Sequence, residues 1–315
     1  VIAEHDVTVY QGDVREQLAL LPASSVQCVV TSPPYYGLRD YGVDGQIGLE
    51  ASPAEYIAEM VAVFREVRRV LADDGVLWLN LGDSYNSAPV GRFSGGGGAL
   101  AGRDLSGHAS SGVVDKLAAS GLPAKNLLGI PWRVAFALQD DGWILRSEII
   151  WHKTSGMPES IIDRVSKRHE QVFMLVKSSR YWFDLDAIRE PHAETTIAAA
   201  SRARKPYVAP GQRPNAKTRG MAEGGANPGD VWSIATQPFS GAHFATMPPE
   251  LARRCILAGS PEGATVLDPF AGSGTTLKVA RSLVRKSIGI ELNPDYIDII
   301  RQRIGQTPLD FEVTA

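Results

Sequence analysis

The run Val266-Leu267-Asp268-Pro269-Phe270-Ala271-Gly272-Ser273-Gly274-Thr275-Thr276 decides the fold. It reads as a short apolar strand, a turn and the start of a helix. Two glycines flank Ser273, so the backbone can approach a ligand closely, and the helix start presents unpaired N–H groups. No Gly-Lys-Ser/Thr follows, which excludes a P-loop. The G-x-G also lacks the third glycine of the full dinucleotide fingerprint. About twenty residues further on, a second apolar segment ends in Gly289-Ile290-Glu291-Leu292-Asn293. An acid at that strand end is placed to accept hydrogen bonds from ribose hydroxyls. The unit asks for a nucleoside; its other reading is a structural turn with a capping Glu.

Outward from this unit the chain keeps alternating. Helical spacing covers Pro248 to Gly259, Thr275 to Val284 and Pro294 to Ile304, with strands at Thr265 to Leu267 and Ser287 to Ile290. Near the N-terminus, Val7 to Tyr10, Val26 to Thr31 and Val76 to Leu81 read as strands. Between the last two, Ser52-Pro53 opens a helix carrying Ile57, Met60, Val61, Phe64, Val67 and Leu71, and Asp73-Asp74-Gly75 is expected to stop it. Pro131 to Asp140 reads as a helix, and Trp143 to Trp151 and Glu170 to Val176 as strands. Strands alternating with helices imply a mostly parallel sheet covered on both faces.

Two segments break the pattern. Residues 86–112 are rich in Gly and Ser, with Gly95 to Gly98 unbroken, and read as a mobile loop able to close over a ligand or as a solvated linker. The second, about Ala187 to Ser240, holds Arg202, Arg204, Lys205, Arg213, Lys217 and Arg219 between Ala198 and Ala222 with no acid among them.

The stretch Thr31-Ser32-Pro33-Pro34-Tyr35-Tyr36-Gly37 follows a strand. Paired prolines lack N–H groups and force an extended, rigid turn. Taken by itself this is an ordinary proline turn.

The chain has 315 residues, a hydrophobic fraction of 44% and a net charge of −3, so any nucleic-acid site must be a local patch. Cys28 and Cys255 stand far apart without a C-x-x-C partner, which suggests buried thiols rather than a zinc site or a disulfide framework; no metal is expected. No apolar run is long enough to span a membrane.

Taken together, the two motifs resemble those of the amino-group DNA methyltransferases. Asp268 to Thr275 is similar to their S-adenosylmethionine-binding motif, and Ser32-Pro33-Pro34-Tyr35 to their catalytic Asp/Asn/Ser-Pro-Pro-Tyr/Phe motif. The catalytic motif comes first, then a variable region, then the cofactor motif, an order that resembles the β class. His243-Phe244-Ala245-Thr246-Met247-Pro248 is similar to the segment preceding the cofactor strand. Trp151-His152-Lys153, Pro158-Glu159-Ser160, Asp163-Arg164 and His169-Glu170 are similar to the block before the recognition region.

The resemblance implies a Rossmann-like α/β fold with a mostly parallel sheet of about seven strands in circularly permuted motif order. It implies S-adenosyl-L-methionine as cofactor, contacted by Asp13, Thr31, His243, Phe244, Thr246, Asp268, Phe270, Ala271, Gly272, Ser273, Gly274, Thr275, Glu291 and Leu292. Ser32 and the Pro33 carbonyl would hold the amino hydrogens of a flipped-out base, with Pro34 fixing the turn and Tyr35 stacking on the base. Tyr36 is either a second pocket wall or a surface aromatic. Asp13 is otherwise a turn former. His169 is expected to be structural.

The Ser form of the motif goes mainly with cytosine N4 in this family and the Asp form with adenine N6, so cytosine N4 is expected, with adenine N6 as the alternative. Methylation at cytosine C5 is disfavoured, because that reaction needs a nucleophilic thiolate and neither cysteine follows a proline. The expected partner is double-stranded DNA, with Arg39, Lys153 and the six cations of the basic segment as candidate contacts and Trp232 and Phe239 as anchors; the other readings are a solvated Arg39, local pairing of Lys153 and a disordered polar loop. The expected division is a catalytic half over 1–186, a target-recognition region over 187–240 and a cofactor-binding half over 241–315. A homodimer and a cytoplasmic, prokaryotic or phage-encoded setting are also expected. The competing classes are an RNA or protein methyltransferase, a non-catalytic DNA-binding protein and, distantly, a nicotinamide oxidoreductase.

Overall fold

The computed structural model describes residues 1–4, 6–86, 121–156, 159–195, 197, 224–237 and 247–305. The Gly-rich stretch beyond Asn86, the basic segment with its six cations, and Pro158, Phe239, His243, Phe244 and Thr246 lie outside the described residues.

The strands are β1 (Ile2–Glu4), β2 (Val7–Gln11), β3 (Val26–Thr31), β4 (Leu71–Leu81), β5 (Ile144–His152), β6 (His169–Val176), β7 (Val231–Ser233), β8 (Thr265–Asp268) and β9 (Lys286–Glu291). They form one nine-stranded sheet in the order β1-β2-β9-β8-β3-β4-β6-β5-β7. All seven expected strands are present, and the two additions are three-residue strands at the sheet edges. From β2 to β4 the pairings are parallel; β6 is antiparallel to both β4 and β5.

The helices are α1 (Val14–Leu20), α2 (Pro53–Val70), α3 (Ile130–Asp140), α4 (Pro249–Gly259), α5 (Thr275–Ser282) and α6 (Pro294–Gly305). Alternation along the central strands sorts them into two layers. Val29 of β3 and Leu77, Leu79 and Leu81 of β4 join a core with Leu18, Tyr56, Phe64 and Val134. Cys28 and Val30 of β3 and Val76 and Trp78 of β4 face Leu251, Ile256 and Val279 instead. Both cysteines are buried in that second core, as expected of unreactive thiols.

Two expectations need correction, and one helix was not expected. Helix α2 stops at Val70, not at Asp73-Asp74-Gly75, because its cap Leu71 is already extended (φ −67°, ψ 138°). Asp73 to Gly75 fall instead at a register shift of β4 against β3, between the pairs Val26–Leu71 and Cys28–Val76. Helix α1 went unrecognised although Asp13 caps it by accepting from Arg15 N. Tyr36 is neither a pocket wall nor a surface aromatic: it is 1% exposed and packs on Tyr56 with ring centroids 5.6 Å apart.

Strand β7 lies inside the 187–240 region yet pairs in parallel with β5. Its Trp232 is buried beside Trp78, ring centroids 6.2 Å apart. No helix among the described residues is long and apolar enough to cross a membrane.

Candidate active site

The ends of β3 and β8 are neighbours in the sheet, with Cys28 opposite Val266 and Val29 opposite Leu267. Each strand therefore delivers its motif to the same carboxyl edge, where ligands of open α/β sheets bind.

At the end of β8 the Asp268 carboxylate accepts from Phe270 N (3.1 Å) and shapes the turn. Gly272 (φ +50°) and Gly274 (φ +77°) take left-handed conformations, and Gly274 caps α5. A Cβ on Gly274 would stand 3.0 Å from Ile300, so the bare backbone is also needed for α6 to pack. Glu291, at the end of β9, accepts from Gly272 N (2.7 Å) and Asn293 N (2.8 Å). The capping reading of this Glu is thus realised, and its oxygens keep lone pairs for further donors. From α6, Arg303 reaches back to Ser273 O (2.8 Å), Ser273 Oγ (2.7 Å) and Thr275 Oγ1 (3.2 Å). That latch was not foreseen, since nothing in the local pattern separates Arg303 from a solvated helix cation.

At the end of β3, Thr31 donates to Asp268 Oδ1 at 2.7 Å and ties the two motifs together. The Pro34 carbonyl accepts from Tyr56 Oη (2.9 Å), and Gly37 N donates to Gly48 O (2.8 Å). Among the described residues no donor reaches the Pro33 carbonyl. The Tyr35 ring lies over Gly82, where any Cβ would overlap it.

Tyr35 Oη accepts from Ser32 Oγ (3.1 Å) and donates to Glu170 Oε2 (2.7 Å). Asn80 Nδ2 donates to the same Glu170 oxygen (3.1 Å) and to Gln171 O (3.1 Å). Lys153 forms an ion pair with Glu170 Oε1, which realises local pairing for that lysine. Arg164 pairs with Glu159 (2.7 Å) and covers the Tyr85 ring. Burial of the His169 ring pulls its pKa down.

These groups surround one cavity of about 440 Å³. Its wall carries Ser32 to Tyr35, Asp268 to Ser273, Thr275, Glu291 and Leu292, together with Asp13, Arg39 and Lys153. Thr31 and Gly274 do not line it; Thr31 adjoins it through its bond to Asp268, and Gly274 follows Ser273 in the turn. Every other described residue assigned to the site from the sequence is on the wall. Asp13 enters the wall already bound to Arg15 (2.6 Å), which holds its carboxyl below the usual range. Asn80, Glu170, Tyr41, Asn293 and Tyr296 also line the cavity and were not in the expected set.

The electrostatics are unusual for an exposed cleft. Burial pushes the Asp268 carboxyl up to about 6, against the hydrogen bond from Thr31. It pushes Glu291 up to about 7, against the two backbone donors. Tyr35 is raised well above its ordinary value by burial and by the Glu170 charge. Two carboxyls that gain from a donor or a cation therefore face one cavity. No group of three or more metal-ligating side chains occurs among the described residues.

The model of a family described as DNA methylase, of the N6/N4 type, matches residues 26–302. The chain belongs to this family. It is 45% identical to the type II methyltransferase M.Cfr9I of Citrobacter freundii, over 94% of this chain and 87% of that one. It is 43% identical to the type II methyltransferase M.SmaI of Serratia marcescens, over 93% and 89% respectively. Among solved structures it is similar to TTHA0409 of Thermus thermophilus, solved in complex with S-adenosyl-L-methionine. The TM-score is 0.56, with 25% identity over 96% of this chain and 97% of that one. The fold is shared with the PvuII DNA methyltransferase, TM-score 0.62 and 20% identity over 96% and 91%. The protein is an S-adenosylmethionine-dependent DNA methyltransferase of the N4/N6 amino family, and the Rossmann-like fold expected of such enzymes is the one observed. The cavity fits that cofactor: glycine backbone on one wall, an acid at the next strand end, and buried carboxyls that favour a cation.

Proposed function

We propose that this DNA methylase transfers the methyl group to the N4 amino group of a cytosine flipped out of duplex DNA. The observation that carries the reading is Ser32, in a Ser-Pro-Pro-Tyr turn, on the wall of the cavity shared with the glycine turn. When bound, S-adenosylmethionine supplies a methyl group already activated on a sulfonium. Glu291 would accept from the ribose hydroxyls, the Gly272–Thr275 backbone would approach the cofactor closely, and Asp268 would fix the turn beside its cationic end. Asp13 and Leu292 would border the nucleoside.

An exocyclic amino nitrogen is a poor nucleophile because its lone pair is delocalised into the ring. Ser32 Oγ and the Pro33 carbonyl are acceptors that would hold its two hydrogens and favour a pyramidal nitrogen. The ring of Tyr35 supports the base plane. Extruding the base costs a few kcal/mol, offset by stacking and pocket hydrogen bonds. Holding the two reactants in line then removes much of the remaining barrier. Arg39, on the cavity rim, and the basic segment between Ala198 and Ala222 would meet phosphates and make affinity salt-dependent.

The test is direct. The protein is incubated with labelled S-adenosylmethionine and unmodified DNA, the DNA is digested, and the labelled nucleoside is identified by mass spectrometry. N4-methylcytosine is expected. N6-methyladenine keeps the enzyme class and overturns the choice of base.

A further inference from the structure

We propose that Glu170 is a positioning residue that, through Tyr35, turns the Ser32 hydroxyl hydrogen away from the cavity and so presents Ser32 to the target amino group purely as an acceptor. This rests on reading Ser32 as the group that receives that amino hydrogen.

A serine hydroxyl is ambivalent, with one donor and two acceptor lone pairs. If its hydrogen faced the base amino group, two donors would oppose each other. The observed chain removes the ambiguity. The Glu170 carboxylate only accepts, so Tyr35 donates to it at 2.7 Å. Tyr35 Oη is then left as an acceptor, and Ser32 Oγ donates to it at 3.1 Å. The two Ser32 lone pairs remain for the substrate. Tyr35 keeps its proton because burial raises its pKa well above the ordinary value. The competing acceptor, Asn80 Oδ1, is further off at 3.3 Å, and Asn80 itself is pinned by donating to Glu170 and to Gln171 O. Lys153 neutralises Glu170 from the other oxygen, so the carboxylate can sit in a cleft meant for DNA.

Steady-state kinetics on DNA, with 2-aminopurine fluorescence at the target position as a separate reading of base extrusion, would compare wild type, Glu170→Gln, Tyr35→Phe and the double variant. Each single change should lower kcat about 10- to 100-fold, with KM for DNA and for cofactor little changed and base extrusion retained. The double variant should be no slower than the slower single, because both cut one chain. Wild-type kcat in either single variant, losses that multiply in the double, or a defect confined to KM would overturn the proposal. Tyr35→Phe leaves the Lys153–Glu170 pair intact, so it decides the matter even where Glu170→Gln fails to fold. A wild-type product of N6-methyladenine would remove the cytosine reading alone, because either amino group meets the same acceptor.

Discussion

The Thr31 hydroxyl donates to Asp268 Oδ1 at 2.7 Å, joining residues 237 apart in the chain. Both groups are buried, and the bond holds the proline turn and the glycine turn at a fixed separation. Thr31→Val keeps the shape and removes the donor. The variant should lose about 1.5–3 kcal/mol of stability, the net worth of a hydrogen bond to a charged group, while Asp268 Oδ1 keeps its bond from Phe270 N. It should also bind S-adenosylmethionine more weakly at neutral pH, since the Asp268 carboxyl then rises beyond about 6. Thermal denaturation and calorimetry measure both, and unchanged values would show that the bond does not organise the site.

Cofactor affinity should depend on pH through Glu291, whose pKa is pushed up to about 7, and Asp268, at about 6. Both are better acceptors when ionised, so affinity should fall as pH drops through that window. Stability of the free protein should run the opposite way. Folded pKa values above the ordinary carboxylate range contribute stability that is present at low pH and lost as pH rises through about 6 to 7. Calorimetry and thermal denaturation from about pH 5.5 to 8.5 read the two trends, and a flat affinity profile would remove Glu291 from the cofactor site.

Gly82→Ala places a methyl group onto one edge of the Tyr35 ring, overlapping Cε2 and Cδ2. The ring must then move and break its bonds to Ser32 and Glu170. Methyl transfer should fall about 10-fold or more while cofactor affinity stays near wild type, because the glycine turn is untouched. An active Gly82→Ala enzyme would show that Tyr35 need not stay in place.

Arg303 latches α6 onto Ser273 and Thr275. Arg303→Met should weaken S-adenosylmethionine binding several-fold, with the rate at saturating cofactor near wild type. A fall in that rate with affinity preserved would count against a role confined to the turn.

Much of this could be read from one chain because its signals are periodic and local. The seven expected strands and the Ser52-Pro53 helix start follow from apolar runs, apolar spacing and capping chemistry. What escaped was either short or non-local. Strands β1 and β7 have three residues each, too few for a period to show. Tyr36 is polar by type and follows a turn, yet tertiary packing on Tyr56 buries it. Glu170 was visible only as part of a similar block. Its meeting with Lys153 and Tyr35 depends on the antiparallel register of β5 and β6, which pairs Trp151 with Glu170. Such a register is fixed by the whole sheet and not by any stretch of a few residues.

The adjacency of β3 and β8 also has a consequence for synthesis. Strand β3 can pair with β4 early, but its other edge has to wait for a strand made more than two hundred residues later. Until then a nascent chain carries a hydrophobic strand with unpaired backbone, the kind of edge that invites association with other chains. Contacts so distant in sequence also slow folding. Methylation competence therefore arrives all at once and late, when the last strands close the centre of the sheet. A chain caught before β8 is made carries the proline turn without the glycine turn, so a partly synthesised enzyme has no complete site.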